Sequence, residues 1–278
     1  MEFHAHSVAG YQGERLYTAW YPPIASPRGS IVWVHGYAEH SGRYQEVVEF
    51  LGQQGWGSLL WDLRGHGRST GRRGFATDLE EYLYDLTAVW THWREKLPKP
   101  VVLFGHSLGG LIALRYRQKY DEVWSPAATM ISAPLLQLRL EVPAWKRAMG
   151  QVAARLFPTL SLPSGLEPSQ LTHDPAEAQA YATDPLVFRT ATAGWFAAVQ
   201  RAQAEAWKDL PKLTTGRYLF LLPEADPVCD TPTAQRFYAH LPASQRALRL
   251  YPEAYHELLH ETFRTKVFQD IAEYLSAL

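Results

Sequence analysis

Short, continuously apolar segments alternate with amphipathic segments along most of this chain of 278 residues. The apolar runs cover residues 15–20, 30–34, 57–61, 101–104, 128–131, 218–222 and 247–251. Runs of this kind predict strands that are buried on both faces of a sheet. Apolar residues at helical spacing fill the intervals, at 43–54, 79–96, 109–120, 231–240 and 261–278. The alternation predicts an α/β fold with a mostly parallel central sheet flanked by helices.

The alternation stops between residues 135 and 210, where no strong strand signal occurs. That span is far longer than an ordinary loop. Its prolines separate short helical pieces, among them residues 144–157 and 190–207. We therefore expect a core domain formed by residues 1–134 and 211–278, with residues 135–210 inserted as a helical cap.

The segment 144–157 alternates large apolar side chains with basic ones. A helix with this pattern packs on its own domain or lies on a lipid surface. Packing on its own domain is the better interpretation, because surface helices are ordinarily amphipathic. Transient contact of the cap with a membrane surface is the alternative.

Composition excludes several classes of protein. The chain has 27 basic and 28 acidic residues and no long block of one sign, so we expect no nucleic-acid partner. The single cysteine, Cys229, excludes an intramolecular disulfide and a cysteine-rich metal site, and we expect neither a metal nor a cofactor. The N-terminus lacks a secretory pattern and no apolar run reaches about 18 residues, which predicts a cytoplasmic protein. Oligomeric state stays open.

Ser107 lies between two glycines in the stretch Gly105-His106-Ser107-Leu108-Gly109. A predicted strand precedes this stretch and a predicted helix follows it. In that context the pattern predicts a sharp, strained turn that exposes the serine hydroxyl. Glycine is needed at both flanking positions because a Cβ there would collide with neighbouring backbone. Ser107 is therefore the candidate nucleophile, and an ordinary turn serine is the weaker alternative.

A serine nucleophile needs a base, and the base needs an acid that orients it. Asp226 and His256 each follow one of the last two predicted strands. They also stand in the order of nucleophile, acid and base that α/β-hydrolases use. Because open α/β sheets assemble their sites at the carboxyl ends of strands, we expect both residues to converge with Ser107. Asp230 and Glu224 are rival acids, but a short turn after the strand would bring Asp226 closest.

An oxyanion hole requires two backbone N–H groups aimed at the developing alkoxide. Leu108 supplies the first, because it follows the candidate nucleophile. The loop after the strand at 30–34 would supply the second from Tyr37.

Other polar residues near these motifs have simpler interpretations. Asp62 and Arg64 are expected to brace loops through ion pairs and hydrogen bonds. Cys229 is interpreted as a small packed residue, with a thiol that can be reached from the pocket as the alternative. Four histidines in glycine-rich turns are expected to bond local backbone and to bind no metal: His35, His40, His66 and His106.

Several motifs together resemble the monoacylglycerol lipase and lysophospholipase branch of the α/β-hydrolase superfamily. They lie at residues 35–44, 62–69, 105–110, 162–166, 173–175, 224–226 and 254–256. The motif at 35–44 is the most specific of them. The resemblance implies an α/β-hydrolase fold with a triad and an oxyanion hole at the residues named above. It also implies that Glu39 and Arg43 lie near the polar end of the pocket, where a glycerol-like group would bind.

The chain departs from the family pattern in its loops. Ala38, Pro223 and Glu253 stand where the family usually has glycine. A histidine that often follows the catalytic one by three residues is displaced to His260. These departures affect loop shape and the pocket rim, so head-group recognition is less well predicted than the chemistry.

The resemblance predicts a serine esterase that cleaves single-chain acyl esters, such as monoacylglycerols or lysophospholipids, without a cofactor. Hydrolysis of small peptides or aminoacyl amides by the same triad is the first alternative, although no acidic cluster for a free amine is evident. A noncatalytic binding protein on this fold is the second. Dehalogenases and epoxide hydrolases are excluded because they need an aspartate in place of Ser107.

Overall fold

The computed structural model describes residues 3–139 and 154–278 of the chain. The strands in these residues are β1 (His4–Ala9), β2 (Arg15–Tyr21), β3 (Gly29–Val34), β4 (Trp56–Trp61), β5 (Val101–His106), β6 (Thr129–Ser132), β7 (Ser161–Pro163), β8 (Thr190–Thr192), β9 (Tyr218–Pro223) and β10 (Arg246–Tyr251). Eight of them form one sheet in the order β1-β2-β4-β3-β5-β6-β9-β10. From β4 to β10 the neighbouring strands are parallel, whereas β2 pairs antiparallel with both β1 and β4. The predicted α/β fold with a mostly parallel sheet is confirmed.

Helices connect most of these strands and cover both faces of the sheet. They are α1 (Gln45–Gly52), α2 (Glu80–Trp93), α3 (Leu108–Tyr120), α4 (Pro175–Thr183), α5 (Ala193–Lys208), α6 (Thr231–Ala239) and α7 (Arg264–Ser276). None of the helices in the described ranges combines the length and the apolar content needed to cross a bilayer.

The apolar runs of the sequence all became strands, but one strand of the large sheet carried no such signal. Strand β1 has the sequence HAHSVA, and only Val8 in it is buried. It pairs with β2 at the edge of the sheet. An edge strand needs few apolar residues because one side of it faces solvent, and this explains why the sequence analysis missed it.

Alternate residues of the central strands enter two separate hydrophobic cores. In β3, Val32 and Val34 belong to the core that includes residues of α2 and α3. Ile31 and Trp33 belong to the core that includes residues of α1 and α7. Both sets are fully buried, as expected for a sheet covered on both faces. The central strands are therefore a rigid base for the loops at their carboxyl ends.

Helix α2 buries the predicted apolar face, and it also buries two carboxylates. Arg64 explains this, since its guanidinium donates to Asp85 Oδ2 at 2.6 Å and to Glu81 Oε2 at 2.8 Å. Asp62 accepts hydrogen bonds from the backbone of Ser41 and of Arg68, at 2.8 and 2.7 Å. Asp62 and Arg64 thus brace loops, as predicted.

Between β6 and β9 the described residues form elements that lie outside the large sheet. Strands β7 and β8 make a short antiparallel ribbon, where the sequence indicated no strong strand. The helix predicted at 190–207 begins only at Ala193, because residues 190–192 pair with β7. Most of the helix predicted at 144–157 falls outside the described residues. The division of the chain at residues 135 and 210 stays a prediction.

Candidate active site

Ser107 occupies a strained turn between β5 and α3. Its backbone has φ 52° and ψ −113°, a conformation that residues with a Cβ rarely adopt. A Cβ on Gly105 would lie 2.2 Å from the carbonyl oxygen of Gly109, and a Cβ on Gly109 would lie 2.0 Å from that of Val34. Both contacts are with backbone, so no larger residue fits. The turn has the geometry that the sequence predicted.

Asp226 and His256 form a buried hydrogen-bonded pair. His256 Nδ1 donates to Asp226 Oδ2 at 2.8 Å. The other carboxylate oxygen of Asp226 accepts from the backbone N–H groups of Val228 and Cys229, at 2.7 and 3.0 Å. Burial alone would lower the pKa of His256, but the charge and hydrogen bond of Asp226 outweigh it and raise that pKa above its usual value. The imidazole is thus oriented as a base.

The two rival acids, Asp230 and Glu224, do not contact the candidate base. Asp230 precedes α6 and accepts from the backbone N–H of Thr233 at 3.0 Å, as a helix cap. Glu224 is exposed. Neither hydrogen-bonds to His256.

Ser107 and the Asp226–His256 pair lie close together. Ser107 and His256 line the same cavity, and the ring of His106, the residue before Ser107, lies 4.9 Å from that of His256. The Cys229 sulfur, a carboxylate oxygen of Asp226 and a ring nitrogen of His256 lie within 4.8 Å of one another. The structure therefore brings together the three residues predicted to act as nucleophile, acid and base.

The Cys229 thiol itself is unsuited to nucleophilic chemistry. It is buried and does not line the large cavity beside Ser107. Burial, and then the charge of Asp226, raise its pKa well above the usual value, so it stays protonated near neutral pH. Of the two interpretations of Cys229, the structure supports packing.

The two residues predicted to supply the oxyanion N–H groups belong to segments next to Ser107. Leu108 is the first residue of α3, and Tyr37 belongs to the loop after β3. A Cβ on Gly36 would lie 3.3 Å from Ser107 Cβ, which shows how closely this loop approaches the serine. Among the described residues, neither Tyr37 nor Leu108 donates its N–H to a backbone carbonyl. Both predicted oxyanion donors are thus free to bind a ligand.

A buried charge network supports the loop that carries Tyr37. Glu39 Oε1 accepts from the backbone N–H of Gly36 at 2.6 Å, and Tyr44 donates to the same oxygen at 2.9 Å. Arg43 donates to Glu39 Oε2 at 3.0 Å and to both carboxylate oxygens of Glu257, at 2.6 and 2.7 Å. Burial would raise the pKa of both glutamates, but the Arg43 guanidinium holds both pKa values below the usual range. One cation therefore pairs with two carboxylates, and these three groups together keep one negative charge.

The structure separates the two residues predicted at the polar end of the pocket. Glu39 lines the cavity, whereas Arg43 lies behind it and has its guanidinium occupied by carboxylates. Two further residues line this end, Glu257 and Tyr181. The sequence analysis missed both. The position of Glu257 directly after the candidate base could have marked it, but nothing in the sequence indicated that Tyr181 of α4 reaches the site.

The cavity beside Ser107 has a volume of about 840 Å³. Away from the polar end, mostly apolar side chains line it: Leu135, Leu136, Leu138, Leu166, Ala191, Trp195, Phe196, Val199, Trp207 and Val228. Most of them come from the chain between β6 and β9. The arrangement is a cavity with many apolar side chains in its wall and with Ser107 and His256 at its surface.

The histidines of the glycine-rich turns bond local backbone only in part. His35 Nδ1 lies 2.7 Å from the Gly36 carbonyl oxygen, and His66 Nδ1 lies 2.8 Å from that of Arg64. His35 Nε2 also accepts from the backbone N–H of Leu63 at 2.9 Å, and His106 Nδ1 lies 3.3 Å from the Ser132 hydroxyl on the neighbouring strand. Burial, followed by the neighbouring His256, lowers the pKa of His106 to about 4, so it is neutral near neutral pH. His40 differs from the prediction of local bonding alone, because its Nε2 reaches Asp184 Oδ2, at 2.8 Å, in the segment between α4 and β8. A partner 144 residues away leaves no local signal in the sequence.

Comparison with known proteins places the chain in a family. Residues 25–263 match the family model described as serine aminopeptidase, S33. The chain is 30% identical to human monoglyceride lipase over 271 residues, which cover 95% of this chain and 88% of that protein. The chain is an α/β-hydrolase of the monoacylglycerol lipase branch. This membership confirms the resemblance and the fold predicted from the motifs.

Two further relatives span nearly the whole chain. Monoacylglycerol lipase of Mycolicibacterium smegmatis is 29% identical over 272 residues, 97% of this chain and 96% of that protein. The crystal structure of Paleococcus ferrophilus monoacylglycerol lipase superposes with a TM-score of 0.84 at 29% identity, and covers 94% of this chain and 98% of that one. An abhydrolase domain-containing protein of Dictyostelium discoideum is much longer, and the 28% identical match covers 94% of this chain but 28% of that protein.

Within this α/β-hydrolase branch, one departure of the chain has a visible structural effect. Ala38, which stands where the family usually has glycine, adopts φ 67°. This left-handed conformation is strained for alanine but not for glycine. The loop beside Ser107 therefore keeps a glycine-like shape at an energetic cost that its surroundings must offset.

Proposed function

We propose that this α/β-hydrolase cleaves carboxylic esters, with Ser107 as nucleophile, His256 as base and Asp226 as the acid that orients the base. The observation that carries the proposal is the buried Asp226–His256 hydrogen bond beside a serine held at φ 52°. A serine in this setting needs no metal or cofactor to attack a carbonyl carbon.

The reaction proceeds in two halves. His256 removes the proton of the Ser107 hydroxyl as the oxygen attacks the ester carbonyl carbon, and the N–H groups of Tyr37 and Leu108 bind the oxyanion. His256 then donates the proton to the leaving alkoxide, which departs as an alcohol and leaves an acyl-enzyme. In the second half, His256 deprotonates a water that attacks the acyl carbon, and the proton returns to Ser107 as the carboxylic acid leaves.

The proposed substrates are single-chain acyl esters with a small polar alcohol group, such as monoacylglycerols or lysophospholipids. The apolar part of the cavity wall suits an acyl chain, and the polar part around Glu39 suits hydroxyl groups. In that polar part Glu39 and Tyr181 line the cavity, while Arg43 holds Glu39 in place. Two relatives that cover nearly the whole chain carry the name monoacylglycerol lipase or monoglyceride lipase.

The description of the family model also names aminopeptidase activity, which keeps amide cleavage as the second candidate. A substrate ammonium group would bind best to a carboxylate that has no cationic partner of its own. Glu39 and Glu257 are the carboxylates in the cavity wall among the described residues, and both are paired with Arg43. An amine would have to compete with Arg43 for either of them, which favours esters.

The test is a substrate panel measured with the wild type and with Ser107→Ala. We expect the wild type to hydrolyse monoacylglycerols or lysophospholipids and to react with a fluorophosphonate probe. We expect Ser107→Ala to lose the labelling and nearly all turnover, a loss of about 10⁴-fold or more.

Aminoacyl amides and short peptides in the same panel provide the comparison. Faster turnover of amides than of esters would overturn the substrate proposal and leave the nucleophile in place. Equal labelling of the two proteins would overturn the nucleophile. A matched control is Ser132→Ala, in which a buried serine one strand away is removed and labelling should persist.

We further propose that the cap region makes transient contact with a membrane surface. Four apolar side chains in residues 156–162 of this region are strongly exposed: Leu156, Phe157, Leu160 and Leu162. Neighbouring exposed apolar residues mark interaction surfaces, and a lipid surface is where long-chain esters are found. The basic residues of the segment 144–157 are Lys146, Arg147 and Arg155, and only Arg155 lies within the described residues.

A further inference from the structure

The side chain of Tyr37 is held between the core and the region after β6. Its ring stacks on Trp195 of α5 with centroids 3.7 Å apart, and meets Phe188 edge-on at 5.4 Å. Its hydroxyl donates to the carbonyl oxygen of Thr190 in β8, at 2.8 Å. An oxyanion donor at this position needs only a backbone N–H, so these side-chain contacts are additional to the donor role.

The backbone of the same turn is attached to the same region. The N–H of Phe188 donates to the carbonyl oxygen of Ala38 at 3.2 Å. Ala38 is the residue with φ 67°, a left-handed conformation that is strained for alanine. On the other side of Tyr37, the N–H of Gly36 is bound by Glu39. The peptide group that carries the Tyr37 N–H thus lies between a charged hydrogen bond and a strained residue held from outside.

The platform under the Tyr37 ring is fixed at both ends of α5. At the start, the Thr192 hydroxyl donates to the carbonyl oxygen of Gly74 at 2.7 Å and accepts from the backbone N–H of Trp195 at 3.3 Å. Near the end, Gln118 of α3 donates to the carbonyl oxygen of Ala206 at 2.8 Å. Trp195 therefore holds a defined position relative to the core.

We infer that the Tyr37 side chain is a positioning group that fixes the direction of its own backbone N–H toward the oxyanion, by docking on Trp195 and Thr190. This inference rests on the proposed esterase function. Without the docking, the turn would keep three bonds, those of His35 and Glu39 to Gly36 and that of Phe188 to Ala38. The strain at Ala38 would then favour rotation of the peptide group, with no side-chain contact of Tyr37 to oppose it. Loss of one oxyanion donor costs about 10²–10³-fold in kcat, so a misdirected donor is expected to cost about 10–100-fold.

The test compares Tyr37→Ala and Tyr37→Phe, which both keep the backbone N–H. We expect Tyr37→Ala to lower kcat about 10–100-fold on a soluble short-chain ester and to change KM less than about threefold, because the donor acts in the transition state. The rate of fluorophosphonate labelling should fall in parallel, since phosphonylation also develops an oxyanion. Tyr37→Phe keeps the stack and should show a smaller loss of both.

Three additional variants keep the result interpretable. Tyr116→Phe, which removes a buried hydroxyl remote from the cavity, is the matched control and should retain wild-type kinetics. Trp195→Ala removes the same contact from the other side. The double variant with Tyr37→Ala should therefore lose less kcat than the product of the two single losses. Tyr37→Leu replaces Tyr37→Ala if the latter fails to fold, because it preserves apolar volume and lacks both the stack and the hydroxyl.

Two outcomes would overturn the inference. One is a wild-type kcat and labelling rate in Tyr37→Ala, and the other is a change confined to KM, which would assign the ring to substrate binding alone. If the wild type is neither labelled nor active on esters, the proposed function fails, and that result is distinct from both.

Discussion

At the scale of single residues, the site depends on residues whose pKa values or backbone angles differ from those that they would have in an unfolded chain. The tight turn after β5 strains φ of Ser107, Asp226 raises the pKa of His256 against the effect of burial, and burial keeps the Cys229 thiol protonated. Ser107, Asp226 and His256 follow three different strands, β5, β9 and β10. The chemistry is therefore a property of the assembled loops.

Replacement of Asp226 by Asn tests the assignment of the acid. His256 must be neutral to accept a proton, so kcat/KM should rise as pH passes its pKa, which Asp226 raises. In Asp226→Asn we expect kcat to fall about 10⁴-fold, because the imidazole tautomer is no longer fixed. The residual activity should rise at a lower pH than in the wild type, because burial lowers the pKa of His256 and only the smaller effects of Glu257 and Glu39 then oppose it.

Asp230→Asn is the matched control for that change. Asp230 caps α6 and does not touch His256, so the pH profile should stay as in the wild type. A large loss of activity in Asp230→Asn together with a mild one in Asp226→Asn would reassign the acid. Profiles of kcat/KM against pH measure both variants.

At the scale of elements, the packing of α5 on α3 connects the region after β6 to the core. Arg115 of α3 is buried and donates to Glu205 and to Asp209, both at 2.8 Å. It also donates to Gln118 within its own helix. The helix that carries Trp195 is thus held by a charged contact that the apolar pattern of α3 did not indicate.

Arg115→Met should destabilise the protein through loss of this contact. Breaking a buried ion pair costs about 3–5 kcal/mol, and the lower end applies because Glu205 is half exposed. Arg201→Met is the matched control on α5, since its side chain is 52% exposed and approaches Asp78 only to 3.6 Å. Its cost should be about 0–1 kcal/mol. Urea unfolding midpoints with unchanged slopes measure both, and equal costs would contradict the anchoring role of Arg115.

At the scale of the whole molecule, the loops of the candidate site follow the carboxyl ends of the strands in the large sheet. The chain between β6 and β9 supplies most of the apolar cavity wall. The exposed apolar side chains near residue 157 belong to that same part of the chain. Contact with lipid through this part would bring the cavity and the source of long-chain esters close together. The two proposals about substrate and surface therefore support each other.

The surface proposal predicts weaker vesicle binding for the double variant Phe157→Ser and Leu160→Ser. Loss of two apolar contacts with lipid should reduce sedimentation with phosphatidylcholine vesicles by about tenfold or more. Hydrolysis of a soluble short-chain ester should be unchanged. The matched control is Ile24→Ser with Val123→Ser, two similarly exposed apolar residues of the core region. An equal loss of vesicle binding in the control pair would contradict a specific surface.

Local patterns in the sequence were sufficient for the central strands, the turn at Ser107 and the positions of Asp226 and His256. A buried strand, a tight glycine turn and a polar residue after a strand each depend on neighbours in sequence. Strand β1 was missed because its stability comes from pairing with β2 and not from its own apolar residues.

The sequence by itself thus determined an α/β sheet and the residues at its strand ends that form the candidate triad. Tertiary structure alone decided how the pocket is charged and what holds its oxyanion loop. Arg43 pairs with Glu257 across 214 residues, and Tyr37 meets Thr190 across 153. Contacts between such distant residues depend on how whole elements pack, and neither periodicity nor spacing in the sequence encodes them in readable form.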